Sequence, residues 1–244
     1  MIFKNMAEKF RLNKFIAHTG LCSRRKAGDL VKEGKIKLNG QVETNPAVEV
    51  TDEDRIEYKG KPLKREEKEV YILMNKPRGV ITSLSDEHER KTVIDVLGRD
   101  VKERVYPVGR LDFNTTGLLL LTNDGALSHQ LTHPSFEVKK VYELELDRPL
   151  SEGDFQKIKK GLMLEDGPIK VDGLSKNADK NHVGIEIHSG RNRIVRRIFE
   201  HLDYTILKLD RVLFAGLTKK NLPRGKYRFL TRKEIILLKH FNKK

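Results

Sequence analysis

The chain has a single cysteine, Cys22, among 244 residues. That excludes an intrachain disulfide and any cysteine-rich zinc site. It also suits a reducing compartment, so the cytoplasm is the expected location. Long hydrophobic runs are missing too. No aliphatic stretch is longer than Leu118–Leu121, far short of the ~20 apolar residues that a membrane-spanning helix needs. The opening MIFKNMAEKF lacks the apolar segment of a secretory signal, so none is expected. Neither GxxxxGK(S/T) nor GxGxxG occurs, and a nucleotide cofactor therefore has no support. His129 and His133 are four apart, but Gln130 follows the first, so HExxH fails and no metal site is expected. Negative charge is scarce: 35 acidic residues face 49 basic ones, a net +14. Such an excess points to a polyanion partner, most simply nucleic acid, with a merely solubilising surface as the plain alternative.

Hydrophobic residues, at 37%, fall in periodic runs sufficient for a core. Residues 1–10 lack periodicity and read as a flexible extension. Leu12, Phe15, Ile16 and Thr19 follow helical spacing, and Gly20 ends that helix. Ser23 is an N-cap candidate for a second helix with Ala27, Leu30 and Val31 inward and Gly34 past its end. Alternating Ile36 and Leu38, then Asn39-Gly40 and Val42, predict a hairpin. Residues 11–64 thus form a small α+β module. REEKE, residues 65–69, has no apolar side chain and is the predicted linker. Residues 70–244 are strand-rich: VYILMN, GVITS, VYPVG, GLLLLTND, VYELELD, VGIEIH, LKLDRVLF and KYRFL. Helices are predicted at about 92–97, 124–133, 151–160, 191–202 and 231–241. The fold class is α+β, with one large mixed, mainly antiparallel sheet flanked by helices. Ten basic residues against Glu234 in the last 26 suggest an extra phosphate-contacting surface there.

Arg24, Arg25 and Lys26 open the second helix. The helix dipole disfavours each cation there by roughly 0.3–1 kcal/mol. Three cations beside free backbone N–H groups make sense if a phosphate lies against them; a solvated charged turn is the bland reading. Lys76 and Arg78, in the turn Asn75–Gly79, either touch phosphate or simply sit between two strands. In residues 105–134 a loop carries Arg110, Asp112, Asn114, Thr115 and Thr116 between two apolar strands. That placement suits a carboxylate aimed at a substrate, although many loop aspartates only make turns.

Two resemblances bear on these readings. RLNKFIAHTGLCSRRKAGDLVKEGKIKLNGQV resembles the RNA-binding module named after ribosomal small-subunit protein four, over about residues 11–58. GRLDFNTTGLLLLTNDG resembles the active-site motif of the RsuA/RluB family of ribosomal-RNA pseudouridine synthases. The likeness extends to LMNKPRGVITS, to Lys140-Val141-Tyr142 and to GRNRIVRRIFEHLDYTILKLDR, covering nearly all of 70–235. It implies a pseudouridine-synthase fold and an isomerase that detaches N1 of uracil from ribose C1′, rotates the base and rejoins it through C5. The reaction is redox-neutral and calls for no cofactor.

By that resemblance Asp112 is the catalytic carboxylate, which either adds to C1′ or takes a sugar proton to open a glycal path. Arg196 pairs with it, Tyr142 stacks on the uracil, Arg110 fills the gap left by the flipped uridine, and Leu209 is an apolar pocket wall. Arg191 and Arg193, in GRNR, join Arg24, Arg25, Lys26, Lys76 and Arg78 as candidate RNA contacts. Many relatives have Gln where this chain has Ile194, which bears on substrate recognition more than on catalysis. The expected partners are structured ribosomal RNA and ribosome assembly intermediates, with no membrane. The favoured target is a 23S rRNA uridine near the peptidyl-transferase centre. The alternatives are a 16S rRNA uridine, a catalytically silent RNA-binding assembly factor, or a metal-dependent nuclease using Asp112 and Asp124. That last option lacks a carboxylate cluster at ligand spacing.

Overall fold

The computed structural model describes residues 8–65, 68–179 and 181–240. The chain divides into two compact units, 1–69 and 70–244. The first contains β1 (Phe10–Arg11), α1 (Leu12–His18), α2 (Arg24–Lys32), β2 (Ile36–Leu38), β3 (Gln41–Glu43), β4 (Glu49–Val50), β5 (Ile56–Tyr58) and β6 (Lys61–Pro62). Four strands form a sheet in the order β3-β2-β5-β6, and β1 pairs with β4. The Ser23 hydroxyl caps α2 by accepting from the Lys26 backbone N–H. Asn39 and Gly40 both have positive φ, 51° and 86°, the backbone that a two-residue hairpin of the right twist requires. Leu12, Phe15, Ile16, Ala27, Leu30, Val31, Ile36 and Ile56 make one core.

Two boundaries move. Phe10, assigned to the extension, pairs with Val50 and is buried at 4% exposure; one aromatic side chain buries enough apolar area to order the strand. Residues 1–7 of that extension lie outside the described residues. Arg65, assigned to the linker, forms an ion pair with Asp52 and stacks 4.2 Å from the Phe10 ring centre, so it belongs to the small unit. Residues 66 and 67 lie outside the described residues.

The second unit contains β7 (Tyr71–Lys76), α3 (Val93–Leu97), β8 (Tyr106–Pro107), β9 (Thr116–Thr122), α4 (Gly125–Thr132), β10 (Lys140–Leu146) and α5 (Glu152–Lys160). Then follow β11 (Leu162–Leu164), β12 (Gly167–Ile169), β13 (Gly173–Lys176), β14 (His182–Ile187), α6 (Ile194–Glu200), β15 (Ile206–Phe214), β16 (Leu217–Thr218), β17 (Tyr227–Phe229) and α7 (Arg232–Lys239). Seven strands run in the order β13-β14-β10-β15-β9-β7-β17, with β16 added to β15 and β8 to β9. Among the described strands only the β9–β15 pair is parallel. The mixed, mainly antiparallel sheet expected from the sequence is therefore observed.

The apolar run of β9 is explained by burial on both faces. Leu119 and Leu121 join Ile72, Met74 and helices α3, α5 and α6 on one side. Leu118 and Leu120 join Tyr71, Leu73, α4 and α7 on the other. Thr92, Asp124, Ser151 and Thr231 cap α3, α4, α5 and α7 through their side chains. GVITS is not a strand: Pro77 and Gly79 (φ 76°) end β7, and the segment keeps only a bridge between Ile81 and Thr92.

Candidate active site

The loop 108–115 leaves β8 and enters β9, and backbone-directed contacts hold it from one side. The Thr82 hydroxyl donates to the Leu111 carbonyl at 2.7 Å and accepts from the Leu111 N–H at 3.2 Å. Gly79 N–H donates to the Phe113 carbonyl at 3.0 Å. Lys76 is wholly buried, and its Nζ donates to the carbonyls of Asp112 at 3.0 Å and Thr115 at 2.9 Å. Burial pulls the Lys76 ammonium down to about 8, with Asp112 opposing that shift. Lys76 therefore touches no phosphate; it braces the loop from inside. The expectation that it contacts RNA is corrected. Its place two residues after Met74, on the same inward parity as Ile72 and Met74, was the available signal.

The braced loop turns the Asp112 side chain into a cleft of about 160 Å³, where it is 41% exposed. Arg196, on α6, enters from the other wall with only 13% exposure and places Nε 3.6 Å from Asp112 Oδ2. Its remaining nitrogens approach the Thr115 hydroxyl and the Ile206 carbonyl, both at 3.5 Å. Burial weakens the hold of Arg196 on its proton, and Asp112 counters that. An adjacent guanidinium fixes the direction of the carboxylate.

Tyr142 and Leu209 line the same cleft and are buried. Arg110 stands exposed at its rim. Ile194 is buried in the α6 core, so this position presents an apolar wall. Lys140, which sequence reasoning did not assign to the site, also lines the cleft. Its Nζ donates to the carbonyls of Val138 and His188 at 3.0 and 2.8 Å. Burial, aided by Arg211, pulls it down to about 8.

The remaining cations differ in how committed they are. Arg24, Arg25 and Lys26 are exposed at the start of α2, and Arg24 reaches only Asn13 Oδ1 at 3.4 Å. Arg78 is exposed beside Asn114. Arg193 is exposed and paired with Glu200 at 2.9 Å. Arg191 is engaged by Asp166 and by the carbonyls of Gly167 and Pro168, so it fastens the β11–β12 turn beside the cleft. The basic C-terminal stretch is partly internal: Lys219 and Arg224 bind Asp210, and Arg228 binds Glu234. Among the described residues no group of three or more His, Cys, Asp or Glu side chains could hold a metal ion.

The model of the RNA pseudouridylate synthase family matches residues 70–201, and that of the S4 domain matches residues 10–56. The chain is 43% identical over 230 residues to the ribosomal large subunit pseudouridine synthase B of Bacillus subtilis, covering 92% of this chain and 93% of the relative. It is 38% identical over 232 residues to an uncharacterised RNA pseudouridine synthase of Aquifex aeolicus, covering 93% of each. A crystal structure of a pseudouridylate synthase superposes with a TM-score of 0.68 at 32% identity, over 94% of this chain and 99% of that one.

Proposed function

Because the chain belongs to the RNA pseudouridylate synthase family, we propose that it isomerises a uridine of ribosomal RNA, in the 23S RNA near the peptidyl-transferase centre. The Asp112–Arg196 pair, set in a cleft beside Tyr142, is the observation that carries the chemistry. The resemblance to an enzyme named for the large subunit supports the choice of RNA.

Asp112 does the bond chemistry. With N1 leaving, its carboxylate either adds to C1′ or accepts the C2′ proton; both routes need its oxygens aimed at the ribose, and Arg196 fixes that direction. The Lys76 brace matters because it holds the Asp112 backbone rather than the carboxylate, leaving the oxygens free for the ribose. Tyr142 supplies the stacking face for the flipped uracil, Leu209 closes the pocket, and Arg110 at the rim takes the place vacated in the RNA. The exposed cations Arg24, Arg25, Lys26, Arg78 and Arg193 contact phosphates, and the S4 domain supplies grip on structured RNA. The physiological substrate is a ribosome assembly intermediate in the cytoplasm, where the target uridine is still open.

The test is pseudouridine mapping of rRNA from a strain lacking the gene, complemented with wild type or with Asp112→Asn. One 23S position should lose the modification and regain it only with wild type. Loss at a 16S position would shift the target to the small subunit. Loss at no position would leave an RNA-binding assembly factor.

A further inference from the structure

Arg211 has no part in the chemistry described above. It lies on β15 with 3% exposure, and its Cα is the cross-strand partner of Tyr142. Its Nε donates to the Leu118 carbonyl at 2.8 Å, and its guanidinium carbon sits 4.5 Å from the centre of the Phe214 ring. Those two contacts fix the plane of the group. Nη2 is buried and has no hydrogen-bond partner. Among the described residues one other buried side-chain atom, Asn181 Oδ1, shares that condition. An unmade hydrogen bond is costly for a buried neutral group and more so for a charged one. A native fold keeps such a donor where something else completes it.

That something enters the cleft, because Arg211 lines the cavity that also holds Asp112 and Tyr142. Val108, Leu131 and Phe214 line the same cavity, and Phe214 lies against Arg211 itself. Lys140, the neighbouring cation, is already spent on backbone carbonyls. A uracil stacked on Tyr142 presents two carbonyl oxygens at its edge, and these accept what Nη2 donates.

The geometry points to Arg211 as the donor to a carbonyl oxygen of the bound uracil, holding the base through its detachment; this rests on the reading of the cleft as a pseudouridine synthase site with Tyr142 beneath the base. When the C1′–N1 bond breaks, its electron pair stays on the uracil, whose charge spreads over N1, O2 and O4. C1′ gains a bond to Asp112, or a double bond to C2′ as Asp112 takes the C2′ proton. After rotation C5 bonds to C1′ as the Asp112–C1′ bond breaks, or as Asp112 returns its proton to C2′; C5 then gives up its proton to solvent and N1 takes one up, so nothing is oxidised or reduced. A cation bonds an anionic oxygen more strongly than a neutral carbonyl. The contact therefore strengthens as the base leaves, which is what accelerates the step. A fixed donor at one carbonyl also gives the freed base a pivot.

The experiment measures single-turnover rates of C1′–N1 cleavage by the full chain on an rRNA fragment with uridine or 5-fluorouridine at the target, because fluorine at C5 leaves no proton there for the final step. It compares wild type with Arg211→Lys and Arg211→Met, and melting temperature and RNA affinity are recorded for each. Affinity should stay within a few-fold. The uridine rate should fall by about 10²–10³ in the methionine variant, the size expected for losing one preorganised donor to developing negative charge. The loss should be smaller with 5-fluorouridine, whose detached base is intrinsically a more stable anion. An undiminished rate, or an equal loss with both substrates, overturns the proposal. Wild type supplies an arm that depends on no variant folding: RNAs with 2-thiouridine or 4-thiouridine at the target present a sulfur, a weaker acceptor, at one carbonyl position each. One of the two should react at least about tenfold more slowly than uridine; if neither does, Arg211 donates to no uracil oxygen. A wild-type protein that isomerises no rRNA uridine at all fails earlier, and overturns the functional reading together with this one.

Discussion

Replacing Lys76 with methionine tests whether a buried cation braces the loop of Asp112. Methionine keeps the length and apolar stem of the side chain and removes the ammonium. Two effects oppose each other at pH 7. The Asp112 and Thr115 carbonyls, now at 3.0 and 2.9 Å from Nζ, would lose their donor, at about 1–3 kcal/mol each if left unsatisfied. Against that, the variant no longer buries a charge. Lys76 is pulled from 10.5 to about 8 in the folded protein, which corresponds to a penalty on the order of 3 kcal/mol for its charged form. Net stability at pH 7 should thus lie between about 1 kcal/mol above and about 3 kcal/mol below wild type.

The pH dependence then separates the two effects. Below about 8 both states of wild type hold the Lys76 proton, and the penalty is present in full. Between about 8 and 10.5 the unfolded chain keeps the proton while the folded one releases it, so stability rises with pH. Wild type has two such groups, since Lys140 is also pulled down to about 8; Lys76→Met retains one. Urea unfolding of the RNA-free protein at pH 7, 8.5 and 10 should show the variant losing ground to wild type by on the order of 3 kcal/mol across that range. Its single-turnover rate should fall about 10- to 100-fold, because the carboxylate drifts from its geometry. A stability difference that does not vary with pH, together with an unchanged rate, would refute the brace.

Other consequences follow from the same geometry. Replacing Arg24, Arg25 and Lys26 with alanine should reduce the slope of log K against log salt by up to about 2–3 in a salt titration of RNA affinity, raising KM while leaving kcat intact. The melting temperature should hold or rise slightly, since the α2 dipole opposes those cations. Gly117→Ala should unfold the catalytic unit or destabilise it by ~3 kcal/mol or more in urea titration: at φ 107° the added Cβ would lie 2.5 Å from the Arg211 backbone nitrogen and 2.8 Å from Asp210 Oδ1.

Local chemistry was legible in the sequence, and long-range placement was not. Ser23, Thr92, Asp124, Ser151 and Thr231 open their helices because a cap needs only the N–H groups two or three residues on. Asn39-Gly40 turns its hairpin for an equally local reason. The structure brings Arg110 and Asp112 to one cleft with Tyr142, Arg196 and Leu209, which lie far from them in the chain. Lys76 went astray because charge normally argues for a surface, and only the packing of β7 against β9 and the loop shows that carbonyls replace water around it. Arg191 has its partners near residue 166, and their proximity is a product of the β11–β12 turn docking beside α6. That turn was missed because Leu162–Leu164 and Gly167–Ile169 are too short for alternation to register. Arg211 sat unremarked in LKLDRVLF, since an unpaired Nη2 is visible only once its surroundings are filled.

The central claim is that the Asp112 carboxylate performs the bond exchange at C1′. Purified wild type and Asp112→Asn should be compared on the same 23S fragment, counting pseudouridine formed per enzyme in a single turnover beside RNA affinity. The amide is neutral, so it neither adds to C1′ nor accepts the C2′ proton. No product should be detectable, with affinity held within a few-fold. Product formed by Asp112→Asn at a rate near that of wild type would contradict it.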